Sequence, residues 1–575
     1  MYKTRLFSLR PFHALREACF SEPYNKRRFS KDLMAGITVA IVAIPLSMAL
    51  AIASGVPPQH GLYTAMIAGF IIALLGGSRL SVSGPTAAFV VILYPVTQKF
   101  GLDGLLLATF LAGLILIAMA LLRLGRLIEY IPESVTLGFT SGIAIVIASL
   151  QVKDFFGLSI AQMPESFIAK WTLLLQALPQ WDFATTVIAS ATFAVLVLWS
   201  KLKLPIPGQL PAILLGVGLS LFFTHQGYSV ETIGSRFSFI FPDGSVGQGI
   251  PPFLPHFSWP GLAVHSFAEA WETLRALLPA SFSMAMLGAI ESLLCAVVLD
   301  NMTGKRHSAN SELLGQGIGN VVAPFFGGIT ATAAIARSAV NYRAGAESPI
   351  APMIHSLMIL MAILFLAPYL SYLPMASMAA LLVMVAWSMS EAHKVVALIK
   401  KAPVSDVVVL LTCLSLTVLF DMVVAIGVGV VLAALLFMRE VSAMTQVKDI
   451  SSDRHLIPRA LPDNWLAIKI NGPLFFAAAD RVFSELAEFS KNKRGIILWL
   501  DAVPILDAGG LSAFNRFIEE CVQQQTKIIV AELQFQPLKT LAKAKITSLT
   551  DKLIFVKSLE EGLRQSATIE KFQLF

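Results

Sequence analysis

Two ionisable residues, Arg337 and Glu291, interrupt stretches that are otherwise apolar, and their types suggest anion and proton chemistry. Arg337 lies in "GGITATAAIARSAV" (327–340), and Glu291 lies in "LGAIESLLCAVV" (287–298). A charge at mid-membrane costs roughly 2.5–3.5 kcal/mol on insertion scales, so such residues usually face a cavity and have a function. The guanidinium would bind an anion, and the carboxylate could carry a proton. The alternative is a permanent Glu–Arg pair that holds two helices together.

A helix-breaking sequence stands at the start of another apolar stretch, "RLSVSGPTAAFVVILYP" (79–95). Ser83, Gly84 and Pro85 predict a helix N-terminus inside the bilayer, with Pro85 in the first helical turn. Ala333 to Ser338 is its counterpart further along the chain. Two facing N-termini would offer free N–H groups and about half a positive charge each, which favours an anion site built from backbone. An ordinary helix kink is the alternative.

The composition places these residues in a membrane. The chain has 575 residues, of which 56% are hydrophobic and 14% are charged, whereas soluble domains have about 25% charged residues. No Asp, Glu, Lys or Arg occurs from 348 to 390, which is long enough for two spans of about 20 residues. The sequence therefore predicts a polytopic α-helical membrane protein.

Apolar runs between charges and breakers predict fourteen spans. They are 34–55, 61–77, 84–98, 104–122, 134–151, 184–200, 208–224, 277–299, 311–328, 333–345, 351–368, 374–390, 404–420 and 422–438. The third and tenth are too short to cross a core of about 30 Å alone. Short, broken spans are expected where irregular backbone lines a cavity.

Basic residues are distributed unevenly between the connecting segments. With a cytoplasmic N-terminus, the inside segments before the last span hold 19 Lys and Arg and the outside segments hold five, as the positive-inside rule requires. Both termini then lie in the cytoplasm and the loop 225–274 lies outside. We expect a multi-pass protein of the bacterial cytoplasmic (inner) membrane. The net charge of +7 is explained by this topology, and no nucleic-acid partner is expected.

The two halves of the membrane region resemble each other. "SMALAIASG" (47–55) is similar to "SMAMLGAIE" (283–291), and "ALLGGSRLSVSGPTAAFV" (73–90) is similar to "APFFGGITATAAIARSAV" (323–340). The offset of seven spans is odd, so the halves are inverted in the membrane. Inverted repeats with paired broken helices are typical of secondary transporters. Chance similarity among Ala- and Gly-rich helices is the alternative.

The composition changes after Arg439. Predicted strands at 465–472, 494–502, 527–533 and 553–558 alternate with predicted helices at 475–490, 509–525 and 537–546. This alternation indicates a small α/β domain. It contains no phosphate-binding loop, zinc cluster or nucleophile–base pattern, so interaction or regulation is expected and catalysis is not. The predicted division is a cytosolic segment 1–33, a transport domain 34–440 and a cytosolic domain 441–575, without a metal or cofactor. The four cysteines are expected to be reduced packing residues.

Several motifs together resemble the sulfate permease (SulP) family of anion transporters. They are "DLMAGITVAIVAIPLSMALAIASGVPPQHGLY" (32–63), "GGSRLSVSGPTAAFVVILYP" (76–95), "AIESLLCAVVLDNMTGKRHSANSELLGQGIGN" (289–320) and "GGITATAAIARSAVN" (327–341). The tail, with "LDAVPILDAGGL" (500–511), resembles the STAS domain. Within the family, "SFSMAMLGAIESLLCAVVLD" and "PLFFAAAD" are similar to the bacterial four-carbon dicarboxylate transporters.

The resemblance implies a seven-plus-seven inverted repeat, an elevator-like motion of a core domain past a gate domain, and a homodimer. It places a substrate site between the third and tenth half-helices, with contributions from the first and eighth spans. The implied substrate-binding residues are Ser47, Ser83, Gly84, Pro85, Thr86, Ala87, Ala88, Ala334, Ile335, Ala336, Arg337 and Ser338. Glu291 is the implied proton-coupling residue.

Three departures from the family pattern bear on function. Leu46 follows Pro45 where many relatives have Gln. Sodium-coupled bicarbonate relatives have Asp and Thr where this chain has Glu291 and Cys295, and the loss of a hard oxygen ligand argues against sodium. The tail loop 507–511 reads Asp-Ala-Gly-Gly-Leu, without the serine that is phosphorylated in anti-sigma-factor antagonists.

These observations predict uptake of C4-dicarboxylates (succinate, fumarate, aspartate) by proton symport. The alternatives are a sulfate or bicarbonate transporter of the same fold, or an anion sensor that signals to a cytosolic protein partner through its tail.

Overall fold

The structure is a computed structural model, which describes residues 10–125, 131–160, 163–164, 166–202, 207–241, 243–260, 267–420, 422–458, 460–546 and 552–573. The chain divides into two compact units, Met1–Val430 and Val431–Phe575. The first unit is mostly helical and the second combines a sheet with helices.

Fifteen helices of nine residues or more are described as far as the unit boundary, which falls inside the last of them. They are α1 Lys26–Ala53, α2 Pro58–Leu75, α3 Ala87–Leu121, α4 Glu133–Phe156, α5 Phe167–Ala177, α6 Phe183–Leu202, α7 Gln209–His225, α8 Phe267–Thr303, α9 Ala309–Val322, α10 Ile335–Arg343, α11 Ile350–Leu370, α12 Met375–Met389, α13 Ala392–Lys401, α14 Val404–Leu419 and α15 Met422–Met444. Shorter helical turns lie at His13–Leu15, Arg16–Ser21, Leu178–Gln180, Ile233–Arg236 and Ala323–Phe326. The strands of this unit are β1 Ser83–Gly84, β2 Ser238–Ile240, β3 Val246–Gln248 and β4 Thr332–Ala333.

A helix lies in each of the fourteen predicted spans, although the boundaries differ. The third and fourth spans both lie in α3, which is kinked between them at Gly101, where φ is 69° and ψ is −170° and the backbone is not helical. Helix α8 begins at Phe267, so the loop predicted at 225–274 is shorter than expected. Among the described residues, eight helices are long and apolar enough to cross a membrane, and nine if the bent pair Phe167–Gln180 and Phe183–Trp199 is one span.

A short antiparallel strand pair joins the two halves of the membrane unit. Ser83 pairs with Ala333, and Gly84 pairs with Thr332. The sequence repeat aligns 83 with 333, so antiparallel pairing of these two residues is the register that a twofold relation requires. The strands also correct the predicted helix starts. Because the strand occupies Ser83–Gly84, α3 begins only at Ala87 and Pro85 precedes the helix.

The N-terminal segment is anchored to the C-terminal ends of α2 and α8 and the loops that follow them. The backbone N–H of Phe12 donates to the carbonyl of Leu75 at the end of α2 (3.2 Å). The Oε1 atom of Glu22 accepts hydrogen bonds from the Arg79 guanidinium (2.8 Å) and from the Lys305 ammonium group (2.9 Å). Burial alone would raise the pKa of Glu22, but the hydrogen bonds from Lys305 and Arg79 outweigh it and lower that pKa to about 2. This carboxylate therefore stays charged and ties the loops after α2 and α8 together.

The second unit is an α/β domain. Its sheet has the order β5 Gln446–Asp449, β6 Trp465–Asn471, β7 Gly495–Ala502, β8 Lys527–Ala531 and β9 Leu553–Val556, with β6 to β9 parallel and β5 antiparallel to β6. Its helices are α16 Phe476–Ser490, α17 Ala508–Gln523, α18 Phe535–Lys543 and α19 Leu559–Gln573. The sequence prediction missed β5 and α19. The Asp507 side chain caps α17 by accepting from the Gly510 N–H (2.8 Å).

Truncation after Val441 is expected to leave a folded membrane unit with altered transport. The two apolar clusters of the tail contain only residues from Val447 onward, so the deletion removes a separate core. Size-exclusion chromatography of the detergent-solubilised protein and uptake by proteoliposomes measure the two effects, with the full-length chain as control. A truncated protein that fails to insert or aggregates would contradict this expectation.

Candidate functional site

Two helices begin close together where β1 and β4 pair. Helix α3 starts after Thr86, and α10 starts after Ala334. Neither residue caps its helix through a side-chain hydrogen bond, so the first N–H groups of both helices lack this usual partner. Free N–H groups and two positive dipole ends at one place favour an anion.

The N-terminus of α3 and the N-terminus of α10 differ in their exposure. Residues 83–88 are all buried, whereas Ala334 is half-buried and Ala336 is exposed. Ile335 is 42% exposed. The N-terminus of α10 is therefore more exposed than that of α3.

The Arg337 guanidinium lies between the two half-helices. It is 2% exposed, and its Nη2 donates to the Pro85 carbonyl oxygen at 2.7 Å. Its Nε and Nη1 have no hydrogen-bond partner among the described residues. A Cβ at Gly84 would come within 2.8 Å of Nη1, so the absent side chain at Gly84 leaves room for the guanidinium. Because unpaired buried donors are costly, these two nitrogens are the strongest candidates to hold an anion.

Glu291 faces the start of α3. The Thr86 hydroxyl donates to its Oε2 at 2.9 Å, and Glu291 as a whole residue is half-buried. Glu291 and Arg337 are close enough for their charges to interact, but the ion pairs of the described residues do not include this pair. In this arrangement the two side chains are therefore not joined by a direct ion pair.

Ser338 and Ser47, which the sequence also predicts to bind substrate, lie in different helices. The Ser338 hydroxyl accepts from the Val82 N–H (2.9 Å) and from the Cys295 thiol (3.3 Å), which fixes α10 against β1 and α8. Ser47 is fully buried in α1, and its hydroxyl has no partner among the described residues. The structure thus brings Thr86, Glu291 and residues 334–338 to one place and puts Ser47 on a separate helix with a free hydroxyl.

Four polar residues near this place were missed in the sequence. His355 of α11 is fully buried, interacts electrostatically with Arg337, and has no partner on either ring nitrogen among the described residues. Glu312, Gln316 and Asn320 of α9 are also buried. Their spacing of four residues in "SELLGQGIGN" (311–320) was a signal, because it places them on one helix face. Within the described part of the chain, no group of three or more His, Cys, Asp or Glu could hold a metal.

Comparisons with known proteins match this architecture over nearly the whole chain. The model of the sulfate permease family matches residues 29–413, and that of the STAS domain matches residues 458–561. The putative sulfate transporter YvdB of Bacillus subtilis (strain 168) is 38% identical over 521 residues, which is 90% of this chain and 94% of the relative. The bicarbonate transporter BicA of Picosynechococcus sp. is 28% identical over 575 residues, or 94% of this chain and 95% of the relative.

A solved structure shows the same fold. The murine anion transporter Slc26a9 in its inward-facing state superposes with a TM-score of 0.83, at 18% identity, over 99% of this chain and 95% of that one. Neither curated relative described here is named for a C4-dicarboxylate, so these comparisons do not support the dicarboxylate prediction and agree better with its stated alternative.

Proposed function

This chain belongs to the sulfate permease family and is a multi-pass membrane transporter of anions, and from that premise we propose that it takes up a small inorganic oxyanion, sulfate or bicarbonate. The observation that carries the proposal is the pair of helix N-termini without side-chain caps beside the Arg337 guanidinium, whose Nε and Nη1 find no partner in the described part of the chain. Free backbone donors of this kind recognise charge and oxygen atoms more than a carbon skeleton.

Sulfate is the first candidate. The two helix N-termini contribute about half a positive charge each, and Arg337 contributes one more, so the site offers about two positive charges when Glu291 is protonated. That sum matches a divalent anion, and with ionised Glu291 it matches a monovalent anion such as bicarbonate. The relative with 38% identity is named a putative sulfate transporter, which also favours sulfate over bicarbonate as the substrate.

We place proton coupling at Glu291, which contacts Thr86 at the start of α3 (2.9 Å). In the cycle we propose, the strand pair and its two half-helices move as one body in an elevator-like, alternating-access motion. The protein would act as a homodimer in the bacterial inner membrane with both termini in the cytoplasm, and its STAS domain would meet a cytosolic protein partner.

Uptake by the purified full-length protein in liposomes tests this proposal. Labelled sulfate, bicarbonate and succinate are compared with and without an inward proton gradient. We expect saturable accumulation of sulfate that increases with the gradient. Preferred uptake of succinate would show that the substrate is a dicarboxylate and would contradict the proposal. Binding of an anion without accumulation would indicate a sensor.

A further inference from the structure

Helix α9 carries a row of three buried polar residues whose side chains form hydrogen bonds with both halves of the site. Glu312, Gln316 and Asn320 are spaced by four residues and therefore share one face of the helix. They are 1%, 0% and 0% exposed, respectively. We call this row the polar ladder. Buried polar side chains inside a membrane are costly unless they are paired, so their partners indicate what the row does.

The first two residues hold the segment that leads into β1. The Oε2 atom of Glu312 accepts from the N–H groups of Gly77 and Ser78, both at 2.9 Å. The Nε2 atom of Gln316 donates to the Ser83 hydroxyl at 3.0 Å and to Oε1 of Glu312 at 3.1 Å. The strand that ends three residues before α3 is therefore held by side chains of α9.

The third residue holds the segment that leads into β4. The Oδ1 atom of Asn320 accepts from the Ala331 N–H at 2.7 Å, and its Nδ2 donates to the Ala331 carbonyl at 2.9 Å. Ala331 directly precedes Thr332, the first residue of β4. One side chain thus satisfies both backbone groups of a residue four positions before α10.

Close packing leaves the ladder little room to adjust. A Cβ at Gly315 would lie 2.7 Å from the Gly76 Cα, and a Cβ at Gly77 would lie 2.1 Å from the Ser308 carbonyl oxygen. The related helix of the first half lacks the ladder, because the repeat offset places Leu62, Met66 and Phe70 at the corresponding positions of α2. The second half alone therefore supplies these side chains to both strands.

We propose that the polar ladder sets the distance between the two half-helix N-termini and thereby determines which anion the transporter prefers. Gln316 and Asn320 are positioning residues, which act on the anion through Ser83 and Ala331. This inference rests on the proposed function. A shift of either strand changes the separation of the backbone donors, and a bulky tetrahedral dianion and a small planar monoanion respond differently to that separation.

The test replaces Gln316 with methionine, which has a similar volume but no amide, and Asn320 with leucine. Purified full-length variants in liposomes are measured for the KM of sulfate and for the ratio of sulfate to bicarbonate uptake, normalised to folded protein. We expect Gln316→Met to raise the KM for sulfate by roughly 5- to 100-fold and to shift the ratio, with a smaller change in kcat. A residue that only stabilises the fold would lower the amount of folded protein and leave both quantities unchanged.

Two comparisons make the result specific. The same change at Gln151, a buried glutamine of α4, should leave the KM and the ratio unchanged. In a double-mutant cycle with Ser83→Ala, the pair should be no worse than Gln316→Met alone, because Gln316→Met already removes the one Gln316–Ser83 hydrogen bond that Ser83→Ala also removes. Additive effects in that cycle, or an equal shift in Gln151→Met, would overturn the proposal.

Separate readouts distinguish this inference from the proposed function. If Gln316→Met does not fold, Ser83→Ala is used instead, because it removes the Gln316–Ser83 hydrogen bond by deleting a single oxygen atom. An unchanged KM for sulfate and an unchanged ratio of sulfate to bicarbonate uptake in Ser83→Ala would overturn the ladder proposal. If the wild-type protein accumulates neither anion, the proposed function fails. In that case the ladder is tested by thermal unfolding of the purified protein at increasing sulfate concentrations. If Gln316→Met needs the same sulfate concentration as the wild type to raise its midpoint of unfolding, the ladder proposal is overturned.

Discussion

Replacing Arg337 with alanine is expected to weaken sulfate binding roughly 30- to 5000-fold, which corresponds to a loss of ~2–5 kcal/mol for a buried charge-assisted contact. Arg337 is 2% exposed, and among the described residues its one hydrogen-bond partner is the Pro85 carbonyl oxygen, which accepts from Nη2. Its Nε and Nη1 are therefore free to donate to two oxygen atoms of one anion. The two helix dipoles already favour negative charge, so the guanidinium contributes the directed part of the binding energy.

Three variants separate this role from a structural one. Arg337→Lys should rescue binding only in part, because it keeps the charge and loses the planar fork. Ser83→Ala should have a much smaller effect than Arg337→Ala, because it keeps every backbone donor and alters only their spacing through the lost Gln316 hydrogen bond. Arg343→Ala makes the same change at the exposed end of α10 and should bind sulfate as the wild type does.

The measurement is sulfate affinity of purified variants by isothermal titration, with the thermal midpoint of each as a check of folding. Near-normal affinity in a folded Arg337→Ala protein would place the anion elsewhere. The Arg337–Pro85 hydrogen bond would then be a purely structural link between α10 and the segment before α3.

The sequence predicted the class of fold because its signals are local. A helix-breaking Ser-Gly-Pro before an apolar run and a Gly-Gly before Arg337 indicate two half-helices regardless of the rest of the chain. The alignment of 83 with 333 also contained the strand register, since antiparallel pairing about a twofold axis must join equivalent residues. The sequence did not reveal that Ser83 and Gly84 form a strand, so the start of α3 was predicted three residues too early.

The residues that support the site were harder to predict because their partners are distant in sequence. Glu312 contacts Gly77, which is 235 positions away, and nothing in the local pattern of α9 identifies that partner. His355 stands in an apolar span without charged neighbours, and only the packed structure brings its ring close to Arg337. Local hydropathy therefore places the spans, whereas the contacts between spans require the tertiary structure.

Glu291→Gln is expected to abolish accumulation driven by a proton gradient while leaving exchange of bound anion partly intact. Glutamine has the shape of the protonated carboxyl group and keeps an oxygen that accepts from Thr86, the observed partner at 2.9 Å. With glutamine the site offers about two positive charges at every pH. Sulfate should therefore still bind, its binding should lose its pH dependence, and bicarbonate should bind less well than sulfate.

The experiment compares wild type, Glu291→Gln and Glu272→Gln, the last being an exposed glutamate near the start of the same helix α8. Sulfate uptake under an inward proton gradient should collapse only in Glu291→Gln, because a side chain that cannot release its proton inside cannot couple the gradient to the anion. Counterflow exchange, which needs no net proton movement, should continue in all three at reduced or normal rates. Normal pH-driven accumulation in Glu291→Gln would show that another group carries the proton. Loss of both exchange and sulfate binding in a folded Glu291→Gln protein would instead show that the Glu291 carboxylate is needed to shape the site. Glutamine would then have failed to replace the protonated carboxyl group.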